Sequence, residues 1–179
     1  MRCPSSWYSD SGNRNVGNND GHILSAAYLN LIGNIYVHCR QGTSESDWED
    51  EELIDLLGNV HKIRKYKEYA DLEKAMLNSK EDAVYFDIDL DFFSIENSSS
   101  NGDNYFTYLT DEQIIDIIRP ERPLIKWIFE RIEGFTIATE PECTGGLLKS
   151  NKFLEMINNL YFSPDLFTWG CNWKWKKWL

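Results

Sequence analysis

Three carboxylates spaced two residues apart, closing an apolar run, constrain this chain more than any other feature. The stretch is Ala83-Val-Tyr-Phe-Asp87-Ile-Asp89-Leu-Asp91-Phe-Phe93. Its aromatic and β-branched residues suit a buried strand. Side chains two apart on a strand share a face, so Asp87, Asp89 and Asp91 line one side and Ile88, Leu90 and Phe92 the other. Two residues of strand rise separate neighbouring acids by about 6–7 Å at Cα. At an effective dielectric of about 20, each such pair repels by roughly 2–3 kcal/mol. A divalent cation at the strand's carboxyl end is the usual compensation, which makes Asp87, Asp89 and Asp91 the candidate metal ligands.

Around this strand the apolar spacing predicts alternating helices and strands. Ile23, Leu24, Ala27, Leu31 and Ile32 fit a helix over His22–Ile32, stopped by Gly33, and Ile35–Cys39 reads as a short strand. Acids ahead of Leu53, Ile54, Leu56 and Leu57 suggest a helix over Asp47–Leu57. Val60–Tyr66 is a basic strand or loop, and Asp71–Leu77 a short helix. Ser- and Asn-rich Ile95–Asn104 reads as a loop overhanging the carboxylates. Thr110 and Gln113 make a capping box for a helix over Asp111–Ile118. A helix over Leu124–Ile132 ends at Gly134, a strand covers Phe135–Thr139, and a helix covers Leu147–Tyr161. The Trp- and Lys-rich end, Trp169–Leu179, suits an edge strand with one packed face. Alternation of this kind predicts an α/β fold, with an irregular segment over residues 1–21 and a single domain over 22–179.

A second acidic cluster, Glu140 and Glu142, falls just past the strand ending at Thr139. Ligands of open parallel sheets bind outside the carboxyl ends of the strands, so both clusters are expected at one cleft. One would hold a metal and the other a substrate cation. Of the histidines, His38 on its strand reads as a satisfied core residue, His22 as a cap or an exposed residue, and His61 as part of a basic loop, none of them a favoured ligand. With 18 Lys and Arg against 29 Asp and Glu, the net charge of −11 disfavours nucleic acid and anionic lipid as partners. Cys3, Cys39, Cys143 and Cys171 form no paired motif and read as thiols of a reducing compartment. No signal sequence and no apolar run of membrane-spanning length is evident, so a soluble cytoplasmic protein is expected.

The stretch Val84 to Ser94 resembles the second metal motif of the arginase/deacetylase superfamily, where Asp-x-Asp closes a binuclear manganese site. Thr136 to Gly146, Thr-Ile-Ala-Thr-Glu-Pro-Glu-Cys-Thr-Gly-Gly, resembles the late strand and loop of one branch, the peptide arginases, as does the unit His22–Cys39. The resemblance spans about residues 22 to 169 and rests on those two motifs. It implies a three-layer αβα fold with a mostly parallel sheet, and Mn2+ as cofactor. It implies Asp87 and Asp89, or Asp89 and Asp91, as manganese ligands, and Glu140 or Glu142 as the acid holding a guanidinium group. The implied substrate is an arginine-containing peptide or a small guanidino compound. In that family a hydroxide between two manganese ions attacks the guanidinium carbon, leaving ornithine and urea.

The family's first metal motif, Asp-x-His-x-Asp, has no counterpart. The triplet Asp20-Gly-His22 continues into Ile-Leu and opens a helix instead of closing a strand. The chain is therefore expected to be incomplete at its N-terminus, or to be a member that has lost activity. Two other readings stand beside this one. In a haloacid-dehalogenase-type phosphatase, Asp87 would be the nucleophile and Asp89 the acid/base, with Mg2+ between them. In a non-catalytic binding module, the fold would persist without a metal pair.

Overall fold

The computed structural model describes residues 20–40, 48–99, 104–164 and 166–174. The protein is mixed α/β with short sheets, some of them parallel. The chain forms two compact units, Met1–Ala75 and Met76–Leu179, each described by itself.

The first unit holds α1 (Asp20–Tyr28), β1 (Ile35–His38), β2 (Glu51–Ile54) and β3 (Val60–Tyr66). Its sheet runs β1-β3-β2, with β1 parallel and β2 antiparallel to β3. Ala27, Leu53 and Ile63 form its buried centre, with Leu24, Ile32, Ile35 and Val37 packed around them. The helix expected over Asp47–Leu57 is a strand and a turn within the described residues, and residue 47 lies outside them. Ile54, Leu56 and Leu57 are all exposed, so the apolar run has no single buried helical face. Asp55 overrides it by accepting from Leu57 N and Asn59 N at 2.8 Å each, which folds the chain back into β3. Helix α2 spans Tyr69–Leu77.

In the second unit, β4 (Val84–Asp89) passes into a single 3-10 turn, Leu90–Phe93. Asp91 therefore lies beyond the strand, a correction to three acids on one strand face. Asp89 causes the break: its carboxylate caps the turn by accepting from Asp91 N at 3.2 Å. The expected loop Ile95–Asn104 is instead an antiparallel pair, β5 (Ser94–Ser98) with β6 (Asn104–Tyr108), its tip residues 100–103 lying outside the described residues. Helix α3 (Asp111–Ile118) carries the Thr110/Gln113 capping box. Helix α4 (Pro123–Phe129) gives way to β7 (Ile132–Ala138), so Gly134 lies inside a strand and does not end a helix. The reason is close approach: a Cβ on Gly134 would fall 2.5 Å from Cδ1 of Tyr85 on the neighbouring strand.

Helix α5 (Leu147–Tyr161) buries Ser150, Phe153, Ile157, Asn158 and Tyr161, positions that share one helical face. Phe153 meets Phe93 edge-on with ring centroids 5.4 Å apart, and the Tyr161 hydroxyl donates to Ile118 O at 2.5 Å. The last elements, β8 (Phe162–Ser163) and β9 (Asn172–Trp173), pair antiparallel, and Trp173 stacks on Phe162 at 4.7 Å. The edge strand expected from Trp169 is thus confined to Asn172–Trp173, Trp169 is fully exposed, and residues 175–179 lie outside the described residues. Among the described residues no helix is long and apolar enough to cross a membrane.

Candidate metal centre

Strands β4 and β7 pair in parallel with Asp87 opposite Thr136 and Asp89 opposite Ala138. Asp91 and Glu140 each lie two residues past the last paired residues, Asp89 and Ala138, so both acidic segments emerge at the same end of the pair. One donor atom each from Asp91, Glu140 and Cys143 lies within 4.8 Å of the other two. Glu140 is buried, 8% exposed, whereas Glu142 is exposed. Asp87 is held back along the strand, its carboxylate accepting from the Thr136 hydroxyl.

The two acidic segments are fastened together by their backbones. Ser94, 1% exposed, places its hydroxyl 3.1 Å from Asp91 O and 3.1 Å from Cys143 O, so one buried proton is shared between the turn and the loop. The loop itself is a tight coil. Cys143 N donates to Glu140 O at 2.9 Å, Thr144 N to the same oxygen at 3.1 Å, and Gly146 N to Pro141 O at 2.7 Å. The Ser150 hydroxyl on α5 donates to Thr139 O at 2.6 Å, anchoring the loop's start. Gly145 has φ +80, and a Cβ there would collide with the Tyr108 hydroxyl and press within 3.2 Å of the Phe106 ring. That conformation and that approach both require glycine.

Electrostatically the site is strained by like charge. Burial, together with the charges of Asp91, Glu140 and Asp87, pushes the Asp89 carboxyl up to about 7, against the opposing hydrogen bond from Asp91 N. The Cys143 thiol is pushed up to about 11 by burial and by its hydrogen bond to the Glu140 side chain. In such surroundings a neutral thiol donates to a carboxylate, and a bound cation would displace the thiol proton.

Of the residues singled out from sequence, Asp91 and Glu140 converge, Asp89 adjoins them electrostatically, and Asp87 and Glu142 stand aside. Cys143 was missed as a member. Only the word Glu-Pro-Glu-Cys hinted at it, because a cysteine without a spaced partner carries no ligand signal. The histidines serve elsewhere. His61 is buried and bonded through Nε2 to Asp55 at 3.0 Å. Burial lowers the pKa of His38, which meets Tyr69 edge-on at 5.8 Å. His22 is exposed on α1.

Comparison with known proteins gives no match to any family model, any curated protein or any solved structure.

Proposed function

We propose that the carboxyl ends of β4 and β7 hold a divalent cation, and that the chain is an arginase-like hydrolase of guanidino groups. The observation that carries the reading is the approach of Asp91, Glu140 and Cys143 just past the ends of a parallel strand pair, with the Asp89 carboxyl raised by burial and by the neighbouring charges. The three-layer αβα architecture and Mn2+ belong to the same proposal and come from the motif resemblance. Carboxylate oxygens suit a hard ion of this kind.

Asp91 and Glu140 would hold the ion, with Asp89 beside them. A bound cation supplies Lewis acidity and lowers the pKa of water. The chain's own residues do the rest. Glu142, exposed two residues past Glu140, offers a carboxylate to the planar guanidinium, and the net charge of −11 favours approach of a cation. Asp87, held by Thr136, backs the site without reaching it. The reaction adds one water to the guanidinium carbon, breaks the bond to the side-chain nitrogen, and releases urea and an ornithine ammonium. The preferred substrate is arginine within a peptide.

The test is urea release from an arginine-containing peptide by the purified protein with MnCl2. Glu140→Gln should abolish it, and Glu142→Gln should raise KM more than it lowers kcat. Absence of both urea release and manganese uptake by the unaltered protein would sink the proposal.

A further inference from the structure

We infer that Cys143 is a ligand of this centre and turns its preference toward a thiophilic divalent cation, Zn2+ or Co2+, over Mn2+. The inference rests on the metal reading above and deepens it. The juxtaposition of Asp91, Glu140 and Cys143 puts two oxygen donors and one sulfur donor within 4.8 Å of one another. Donors around a tetrahedral ion at 2.0–2.3 Å stand about 3.5 Å apart, so the three need close by only about 1 Å to share an ion. The backbone that carries the sulfur is fixed on both sides of the residue. Cys143 follows Glu140 by one coil of loop, its N–H bonded to Glu140 O and its C=O to the buried Ser94.

The chemistry then separates the ions. Mn2+ takes oxygen donors and gains little from sulfur, whereas Zn2+ and Co2+ gain from a thiolate. The ion would replace the proton that Cys143 now shares with Glu140, so binding releases a proton from sulfur as the ion–sulfur bond forms. No oxidation or reduction is involved. Manganese alone, as the motif resemblance implies, leaves the sulfur unexplained. A mixed oxygen–sulfur set accounts for it.

The experiment titrates the full chain with CoCl2, ZnCl2 and MnCl2 by calorimetry and absorption. Bound Co2+ should show the sulfur-to-cobalt charge-transfer band in the near ultraviolet. Cys143→Ser should lose that band and weaken Zn2+ binding about tenfold or more, while Mn2+ binding shifts by less than about threefold. Cys171→Ser, altered at a thiol outside the cluster, should keep both. Thermal melts of each variant without metal check that the fold survives. Co2+ binding without the band, or a band that persists in Cys143→Ser, overturns the sulfur ligand while leaving the metal centre standing. Failure of all three ions to bind the unaltered protein overturns the centre itself and the sulfur ligand with it.

Discussion

Asp89→Asn should stabilise the metal-free protein at neutral pH while weakening its hold on a cation. Folding moves the Asp89 carboxyl from its ordinary 3.8 up to about 7. Across that window the folded state binds more proton than the unfolded state, so stability is greatest below about pH 4 and declines as pH rises toward 7. A displacement of about three pH units at 1.36 kcal/mol each sets a ceiling of about 4 kcal/mol. Asp89 is only partly buried, and solvent screening reduces this to about 2 kcal/mol. Asparagine keeps an oxygen able to accept from Asp91 N and removes the charge. Urea denaturation with a chelator present, from pH 4.5 to 8, should therefore show two curves. The unaltered protein loses about 2 kcal/mol over the range, less the general pH trend shared by both, and the variant stays nearly level. At pH 7.5 the variant should be the more stable, by about 2 kcal/mol. With MnCl2 at about a hundred times its dissociation constant the unaltered protein should recover about 2.7 kcal/mol. A variant less stable than the unaltered protein at pH 7.5, or one with the same pH slope, would show that burial and neighbouring charge do not raise the Asp89 carboxyl in the folded protein.

Three further outcomes follow from other residues. Ser94→Ala should lower stability by about 1–2 kcal/mol, because the Cys143 carbonyl loses this donor while Asp91 O keeps only the Ser94 backbone N–H, and should weaken cation binding in calorimetry by disjoining Asp91 from Cys143. Gly145→Ala should cost about 1–3 kcal/mol in thermal melting, from its positive φ and the Phe106 ring, while Gly33→Ala, with open space around it, should change little. Asp55→Asn should destabilise the β2–β3 turn. Burial raises the Asp55 carboxyl, yet hydrogen bonds from Asn59, His61 and Leu57 outweigh it and hold it well below the usual range. Its stabilisation is thus present above the ordinary carboxylate range and lost as pH falls through and below it, which amide exchange at Leu57 and Asn59 would register.

Where local signals agreed with the tertiary structure, the sequence was readable. The α5 face recurs at helical spacing and its limits, Leu147 and Tyr161, match; the α3 cap is chemically explicit in Thr110 and Gln113. Strands β1 and β4 are apolar runs short enough to exclude helices, whereas of β7 only the part from Phe135 was legible, Ile132 having been read as helix. Misreadings came where a side chain or a distant partner outvoted the local pattern. Glu51 to Ile54 resembles a helix start, but Glu51 pairs with Lys65 and Leu53 sits opposite His61 on β3. Nothing within residues 47–57 reports that partner. Serine and asparagine around 97–104 hid a strand pair whose apolar face comes from Phe106 and Tyr108, rings stacked at 6.2 Å. At the candidate centre, the acids were legible because like charge at close spacing demands explanation. Cys143 was not, since its approach to Asp91 and Glu140 comes from the coil of the loop after β7.

The hydroxyl of Ser94 joins carbonyls on two arms whose bonded ends lie 49 residues apart. Closing a loop of that length costs entropy of about 3 kcal/mol or more, and the loop contains a strand pair and two helices that must form within it. The donor atoms of the two arms meet only after that closure, so the unfolded chain holds an ion more weakly than the folded one. Contacts made last stabilise the native state without helping the chain to reach it. An ion held between the two arms would therefore act as a brake on unfolding: the unfolding limb of the denaturant chevron would drop, and the folding limb would not move.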